Sequence, residues 1–75
     1  MKPYKDLSGT SGILAYSIGK DFIKIVFESD PVPYVYSWKK PGKTKVERMK
    51  RLAESGKGLA TYINKYVRQD FDSRG

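Results

Sequence analysis

Residues 22–38, FIKIVFESDPVPYVYSW, decide the fold. Ile23, Ile25 and Phe27 alternate with polar side chains such as Lys24, which is the pattern of a strand with one buried face. The Ser-Asp-Pro sequence that follows is a turn signal. The stretch after it begins with prolines that only a strand end or a sheet edge tolerates. We therefore expect two antiparallel strands joined by a short turn.

The second of these strands, residues 32–38, carries aromatic side chains at alternate positions, Tyr34, Tyr36 and Trp38. Alternation places them on one face, which is either a surface for stacking bases or a face buried under the rest of the protein. The later helices need a sheet face to cover, so we interpret Tyr34 and Tyr36 as core or core-rim residues whose hydroxyls reach polar partners. Trp38 ends the strand beside two lysines and is predicted to lie partly open.

An earlier strand is predicted at residues 13–18, ILAYSI, with a tight Gly-Lys-Asp connection to the next one. Short connections favour a three-stranded antiparallel meander. Residues 1–11 are predicted to be a loose leader, because a proline and a cluster of serine, glycine and threonine are typical of loops.

A Pro-Gly pair ends the sheet, and a helix is predicted from residue 45 to residue 54. Thr44 and Glu47 have the spacing of a capping box, in which the hydroxyl and the carboxylate satisfy two free amides at the helix start. Arg48 and Arg51 are predicted to lie away from the apolar side of this helix. That side comprises Val46, Met49, Leu52 and Ala53.

A second helix is predicted from residue 59 to residue 69, after a turn at residues 55–58, SGKG. The turn lacks the first glycine and the final Ser or Thr of a phosphate-binding loop, so we interpret it as a helix-helix connection. A second and weaker interpretation is that the backbone amides at the start of the second helix bind one phosphate of a nucleic acid. Residues 72–75 are predicted to be a frayed tail. The apolar face of the helix comprises Leu59, Tyr62, Ile63, Tyr66 and Val67, opposite Thr61, Asn64, Lys65 and Arg68.

The elements predict one α+β domain over residues 1–75, a three-stranded antiparallel β-meander followed by two helices packed on one face of the sheet. The chain has no histidine and no cysteine, which removes the catalytic triads, cysteine nucleophiles and ordinary zinc sites. No carboxylate pair is typical of acid-base catalysis. We expect a protein that is not an enzyme and that has no cofactor and no metal.

No apolar run approaches the roughly 20 residues that span a bilayer, and no signal-peptide core follows Met1. The sequence therefore predicts a cytoplasmic protein without a membrane partner.

The net charge of +7 resides in the second half of the chain. Residues 1–38 carry four basic and four acidic side chains, whereas residues 39–75 carry eleven basic and four acidic ones. In the basic segment, residues 39–51, Glu47 is the only acid, and only Arg51 has it as an i−4 partner. The basic side chains of this segment repel one another. This repulsion favours a polyanionic partner, most simply nucleic acid and less simply an acidic membrane or protein.

Several motifs occur in a characteristic order: Tyr-Val-Tyr at residues 34–36 on a third strand, a helix, AESGKGL at residues 53–59, and Tyr-Ile-Asn at residues 62–64 in a second helix. Over about residues 8–70 this order resembles the KTSC domain, a short module named for its occurrence at the C-terminus of some lysyl-tRNA synthetases. The resemblance implies the same order of strands and helices, and RNA binding through the association with a tRNA enzyme. Ala60 departs from the polar amide expected of the family. The basic stretch from Trp38 to Lys45 also departs from it and favours polyanion binding in this chain.

The sequence thus predicts a small basic nucleic-acid-binding module, with RNA favoured over DNA, that grips the phosphate backbone. Aromatic side chains are expected to stack on exposed bases. The alternative is a protein-interaction module that docks on an acidic partner or through a sheet edge, including as a homodimer. The predicted nucleic-acid-binding residues are Trp38, Lys39, Lys40, Lys43, Lys45, Arg48, Arg51, Lys57, Lys65 and Arg68.

Overall fold

Five antiparallel strands lie side by side in chain order in the computed structural model, which describes residues 1–75. The predicted α+β class is confirmed. The three central strands are the predicted meander, and the sheet has one further strand at each edge. The strands are β1 (Lys2–Pro3), β2 (Ile13–Ile18), β3 (Phe22–Phe27), β4 (Asp30–Ser37) and β5 (Ser73–Arg74).

The two edge strands come from segments predicted to be a loose leader and a frayed tail. Lys2 pairs with Tyr16, and Arg74 pairs with Tyr34. Tyr4, just after β1, is buried with its side chain in the core. The outer backbone groups of β2 and β4 need partners, and the two ends of the chain supply them. The prediction of loose ends therefore does not hold for these residues.

Two helical segments follow the central strands. Helix α1 spans Lys43–Ser55, and helix α2 spans Leu59–Tyr62 and continues into a π-helical turn at Ile63–Val67. The predicted capping box at the start of α1 is wrong. The helix begins two residues earlier than predicted, so Gly42 occupies the N-cap position and Thr44 lies within the first turn; no side chain caps the helix.

The register of β3 and β4 places the two tyrosines of β4 on the helix side of the sheet. Ile23 pairs with Tyr36 and Ile25 pairs with Tyr34. Tyr36 is 1% exposed. Tyr34 is half-buried and meets Phe71 edge to face, with 5.0 Å between the ring centroids. These positions agree with the interpretation of both tyrosines as core or core-rim residues. The expected polar partner of the Tyr36 hydroxyl is not found, because no protein group forms a hydrogen bond with it.

The helices bury only part of the apolar positions predicted for them, since Leu52 of α1 and Tyr62 of α2 are half-buried. Val46, Met49 and Ala53 of α1 are buried, as are Leu59, Ile63 and Val67. Tyr66, which was predicted to share their buried face, is 52% exposed. The wider π-helical turn departs from the 3.6-residue period on which that prediction rested, and Tyr66 packs on Tyr62 at the surface instead.

Candidate nucleic-acid interface

The loop between β4 and α1 is held by Ser37. Its hydroxyl donates a hydrogen bond of 2.6 Å to Oδ2 of Asp72 and accepts hydrogen bonds from the backbone amides of Lys39 and Lys40, at 3.1 and 3.2 Å. Ser37 itself is buried, whereas the two lysine side chains are exposed. One small buried side chain thus anchors the backbone of two lysines whose charged ends reach solvent.

Trp38 is half-buried beside this loop and its indole is occupied by neighbouring groups. Nε1 donates a hydrogen bond of 2.9 Å to Oε2 of Glu47. The Nζ atom of Lys43 lies 4.7 Å from the centroid of the ring, within the range of a cation–π contact. These contacts place the charged end of Lys43 over the ring of Trp38 and fix the edge of the ring against Glu47.

Glu47 is the only acid of the basic segment, and it pairs with Lys50 rather than with the expected Arg51. Nζ of Lys50 lies 2.8 Å from Oε2 of Glu47 and also donates to the backbone oxygen of Lys20 at 2.9 Å. The hydrogen bonds from Lys50 and then from Trp38 lower the pKa of Glu47. Arg51 consequently has no acidic partner.

Most cations of the basic segment, like Arg51, have no acidic partner. Ion pairs within 4.0 Å engage only Lys50, through Glu47, and Lys40, whose Nζ lies 3.9 Å from Oδ1 of Asp70. The remaining side chains are exposed except for half-buried Lys45. The unpaired cations of this segment are Lys39, Lys43, Lys45, Arg48 and Arg51.

Lys57 is exposed but lies apart from the loop lysines. It follows the C-terminal end of α1, and a helix of 13 residues is about 20 Å long. The turn that contains it is the predicted helix-helix connection, with Gly56 and Gly58 at φ angles of 80° and 83°. The amide of Leu59, at the start of α2, donates to the hydroxyl of Tyr4 at 3.4 Å, so this amide is already engaged.

Lys65 and Arg68 lie on the exposed side of the π-helical turn, as the sequence pattern predicts. The guanidinium of Arg68 donates to Oδ1 of Asn64. Between them in the sequence lies Tyr66, an exposed aromatic side chain that is not among the predicted site residues. Nζ of Lys65 lies 5.5 Å from the centroid of its ring. No feature of the 3.6-residue pattern could have revealed it, because the π-helical turn moves Tyr66 away from the core.

The remaining chemistry of the chain is sparse. No group of three or more carboxylates is placed to hold a metal ion. No helix has both the length and the apolar composition to cross a membrane. Comparison of the chain with family models, with curated proteins and with solved structures gives no match.

Proposed function

We propose that this protein is a non-enzymatic nucleic-acid-binding module, with RNA favoured over DNA, that holds the phosphate backbone with the basic segment, residues 39–51. The observation that supports this proposal is the set of cations there without acidic partners. Lys39, Lys43, Arg48 and Arg51 are exposed and lie outside any ion pair. When such cations bind phosphates, the counterions that are condensed on the nucleic acid are released into solution, and this release drives binding.

Arg48 and Arg51 are the most favourable pair for this role. They are three positions apart on α1, so their side chains neighbour one another on the solvent side of the helix. Like charges at this spacing repel each other, and a phosphate between them relieves the repulsion. Guanidinium groups also bind phosphate oxygens in a bidentate manner.

Lys65 and Arg68 extend the contact to the second helical segment, where the exposed ring of Tyr66 is available to a base. Stacking of a base on an aromatic ring contributes about 1–3 kcal/mol and depends little on sequence. The choice of RNA over DNA rests on the resemblance to the KTSC domain and is part of the proposal.

The test is a binding titration with single-stranded and double-stranded RNA and DNA of matched sequence. The five unpaired cations of the basic segment, together with Lys65 and Arg68, predict that log affinity falls with log salt with a slope of roughly −5 for a single strand. The titrations are run between about 50 and 200 mM salt, the range over which such slopes are resolved. An absence of binding at low salt, or an affinity that does not respond to salt, contradicts the proposal.

A pull-down after nuclease treatment tests the alternative of an acidic protein partner. A partner that remains bound after the nucleic acid has been digested favours that alternative, and light scattering on the same samples reports a homodimer.

A further inference from the structure

A cavity of about 310 Å³ lies between the π-helical turn and the β3–β4 turn, outside the basic segment. One wall is aromatic and comes from the sheet, and the other is polar and comes from the helical segment. Its volume is at the small end of the roughly 300–1,000 Å³ typical of small-molecule sites. The aromatic wall comprises Phe27, Tyr34 and Tyr36, and the polar wall comprises Asn64, Arg68 and Gln69.

The hydroxyl of Tyr36 is a polar group without a protein partner at this cavity. The residue is 1% exposed, and no protein group forms a hydrogen bond with its hydroxyl. No side-chain oxygen or nitrogen that is sealed from solvent lacks a partner, so the hydroxyl is accessible from the cavity that Tyr36 lines. Burial first, and Tyr34 second, raise the pKa of Tyr36 to about 12; the phenol is a donor at neutral pH with or without this increase.

The polar wall offers further donors and acceptors. Oδ1 of Asn64 accepts from Arg68, which leaves the amide NH₂ of Asn64 free to donate. Gln69 supplies a second amide. Such groups, set against aromatic rings, match a planar heterocycle with hydrogen-bonding edges.

The carboxylates of Glu28 and Asp30 also line the cavity. Asp30 is paired with Arg74 and accepts a hydrogen bond from the amide of Val32, so Glu28 supplies the carboxylate without an ion pair. Arg68 of the polar wall carries the opposite charge. Because these charges balance, the aromatic rings and amides of the lining favour an uncharged planar base, whose exocyclic amino group can donate to Glu28.

We propose that this cavity binds a single unstacked nucleobase. The proposal rests on the proposed function for the source of the base, which is a strand whose phosphates lie on the basic segment. Lys40 contacts Asp70, only two positions after Arg68 of the cavity wall. The C-terminal end of the π-helical turn thus lies between the two sites, and a strand held by the lysine loop passes close to the cavity.

The test fills the cavity. Ala60 lines it, so Ala60→Leu introduces a larger side chain into the space that the base requires. Thr61→Leu is the matched control, because Thr61 is the next residue of the same helix, is exposed and does not line the cavity. Each variant is titrated with a short single-stranded RNA and with an abasic strand of the same length, which presents phosphates alone.

The native protein and Thr61→Leu are expected to bind the RNA more tightly than the abasic strand. Ala60→Leu is expected to lower this preference about five- to 150-fold, the range that corresponds to the loss of one base contact, and to retain only the part that stacking on Tyr66 contributes. An Ala60→Leu variant that retains the full preference for RNA overturns the cavity proposal and leaves the proposed function intact. If neither strand binds the native protein, the proposed function fails.

Tyr36→Phe is a second test that does not depend on whether Ala60→Leu folds correctly, because it removes only a hydroxyl. It is expected to lower the preference for RNA over the abasic strand, and unchanged preference in both variants overturns the proposal.

Nuclear magnetic resonance distinguishes a free nucleoside from a base within a strand. The measured quantity is the chemical shift of the side-chain amide signals of Asn64 and Gln69. If these signals move on addition of adenosine, cytidine, guanosine or uridine, free bases enter the cavity. If they move only on addition of the RNA strand, the strand delivers the base. Amide signals that move with neither ligand overturn the proposal even if the protein binds RNA.

Discussion

The indole Nε1 of Trp38 donates a hydrogen bond to the carboxylate of Glu47, and the same carboxylate oxygen pairs with Lys50. One acid thus ties the loop after β4 to helix α1 and offsets one positive charge in the middle of the basic segment. Its replacement is expected to change binding more than folding, because Glu47 is the only acid among residues 39–51.

Glu47→Gln is expected to increase the affinity for nucleic acid at low salt severalfold. The glutamine still accepts a hydrogen bond from Trp38, whereas the local net charge rises by one. Fluorescence titration at about 50 mM salt measures the change. Glu54→Gln removes an acid from the far end of the same helix and is expected to have a smaller effect. Equal gains in the two variants would show that total charge, not the basic segment, governs binding.

Reversal of charge at Arg48 and Arg51 is expected to weaken nucleic-acid binding and to leave the thermal unfolding temperature nearly unchanged. Both side chains are exposed and make no ion pair, so the folded state loses little. The slope of log affinity against log salt is expected to become shallower by about 1.4 for a single strand, since each lost phosphate contact removes about 0.7.

The matched control for this double variant is Lys2→Glu with Lys24→Glu, which changes the net charge equally. Lys2 and Lys24 belong to strands of the half of the chain that has no excess charge. A control variant that loses as much affinity as the arginine variant contradicts the placement of the interface.

The stability of the protein is expected to fall between pH 10 and pH 12 through Tyr36, whose pKa burial raises from 10.0 to about 12. In this window the phenol of the unfolded chain ionises and the buried one does not, so stability present below pH 10 is lost as the pH rises. The loss amounts to about 2–3 kcal/mol of unfolding free energy. Urea unfolding at several alkaline pH values measures it.

Tyr36→Phe is expected to lose this part of the pH dependence while its stability at neutral pH changes little, because the hydroxyl has no protein partner to lose. Tyr66→Phe removes an exposed hydroxyl and serves as the control. An alkaline slope in Tyr36→Phe as steep as that of the native protein contradicts the assignment.

Gly56→Ala is expected to destabilise the protein by about 1–3 kcal/mol. Gly56 has a φ angle of 80°, and an added Cβ would lie 2.7 Å from Cβ of Lys5. Gly9→Ala is the control, because Gly9 has a φ angle of 76° but no atom within 4 Å of an added Cβ. Urea unfolding is expected to show the larger loss for Gly56→Ala, and equal losses would mean that backbone strain alone matters.

The central strands of the fold follow from side-chain alternation, whereas other elements depend on contacts that no local pattern contains. Edge strands of two residues are too short to show a period. The capping box is wrong because the helix begins at Lys43 and places Thr44 within its first turn, and Glu47 accepts a hydrogen bond from Trp38, nine positions away. Local spacing predicts what a side chain can reach, but not which of several partners it takes.

Some features of the candidate site likewise follow from local sequence patterns, and others depend on the folded structure. Exposure of Arg48 and Arg51 follows from the phase of an amphipathic helix. The exposure of Tyr66 depends on a π-helical turn. The cavity is lined by residues from strands, turns and the second helical segment, so only the folded chain brings them together.

The strand order also has a consequence for the folding pathway. The pairs β1–β2, β2–β3 and β3–β4 join strands that are neighbours in the chain, whereas β5 reaches β4 only after both helices. Closing a longer loop costs more conformational entropy, and local contacts form faster. The meander is therefore expected to assemble early, and the pairing of Tyr34 with Arg74 to complete the sheet as the last step.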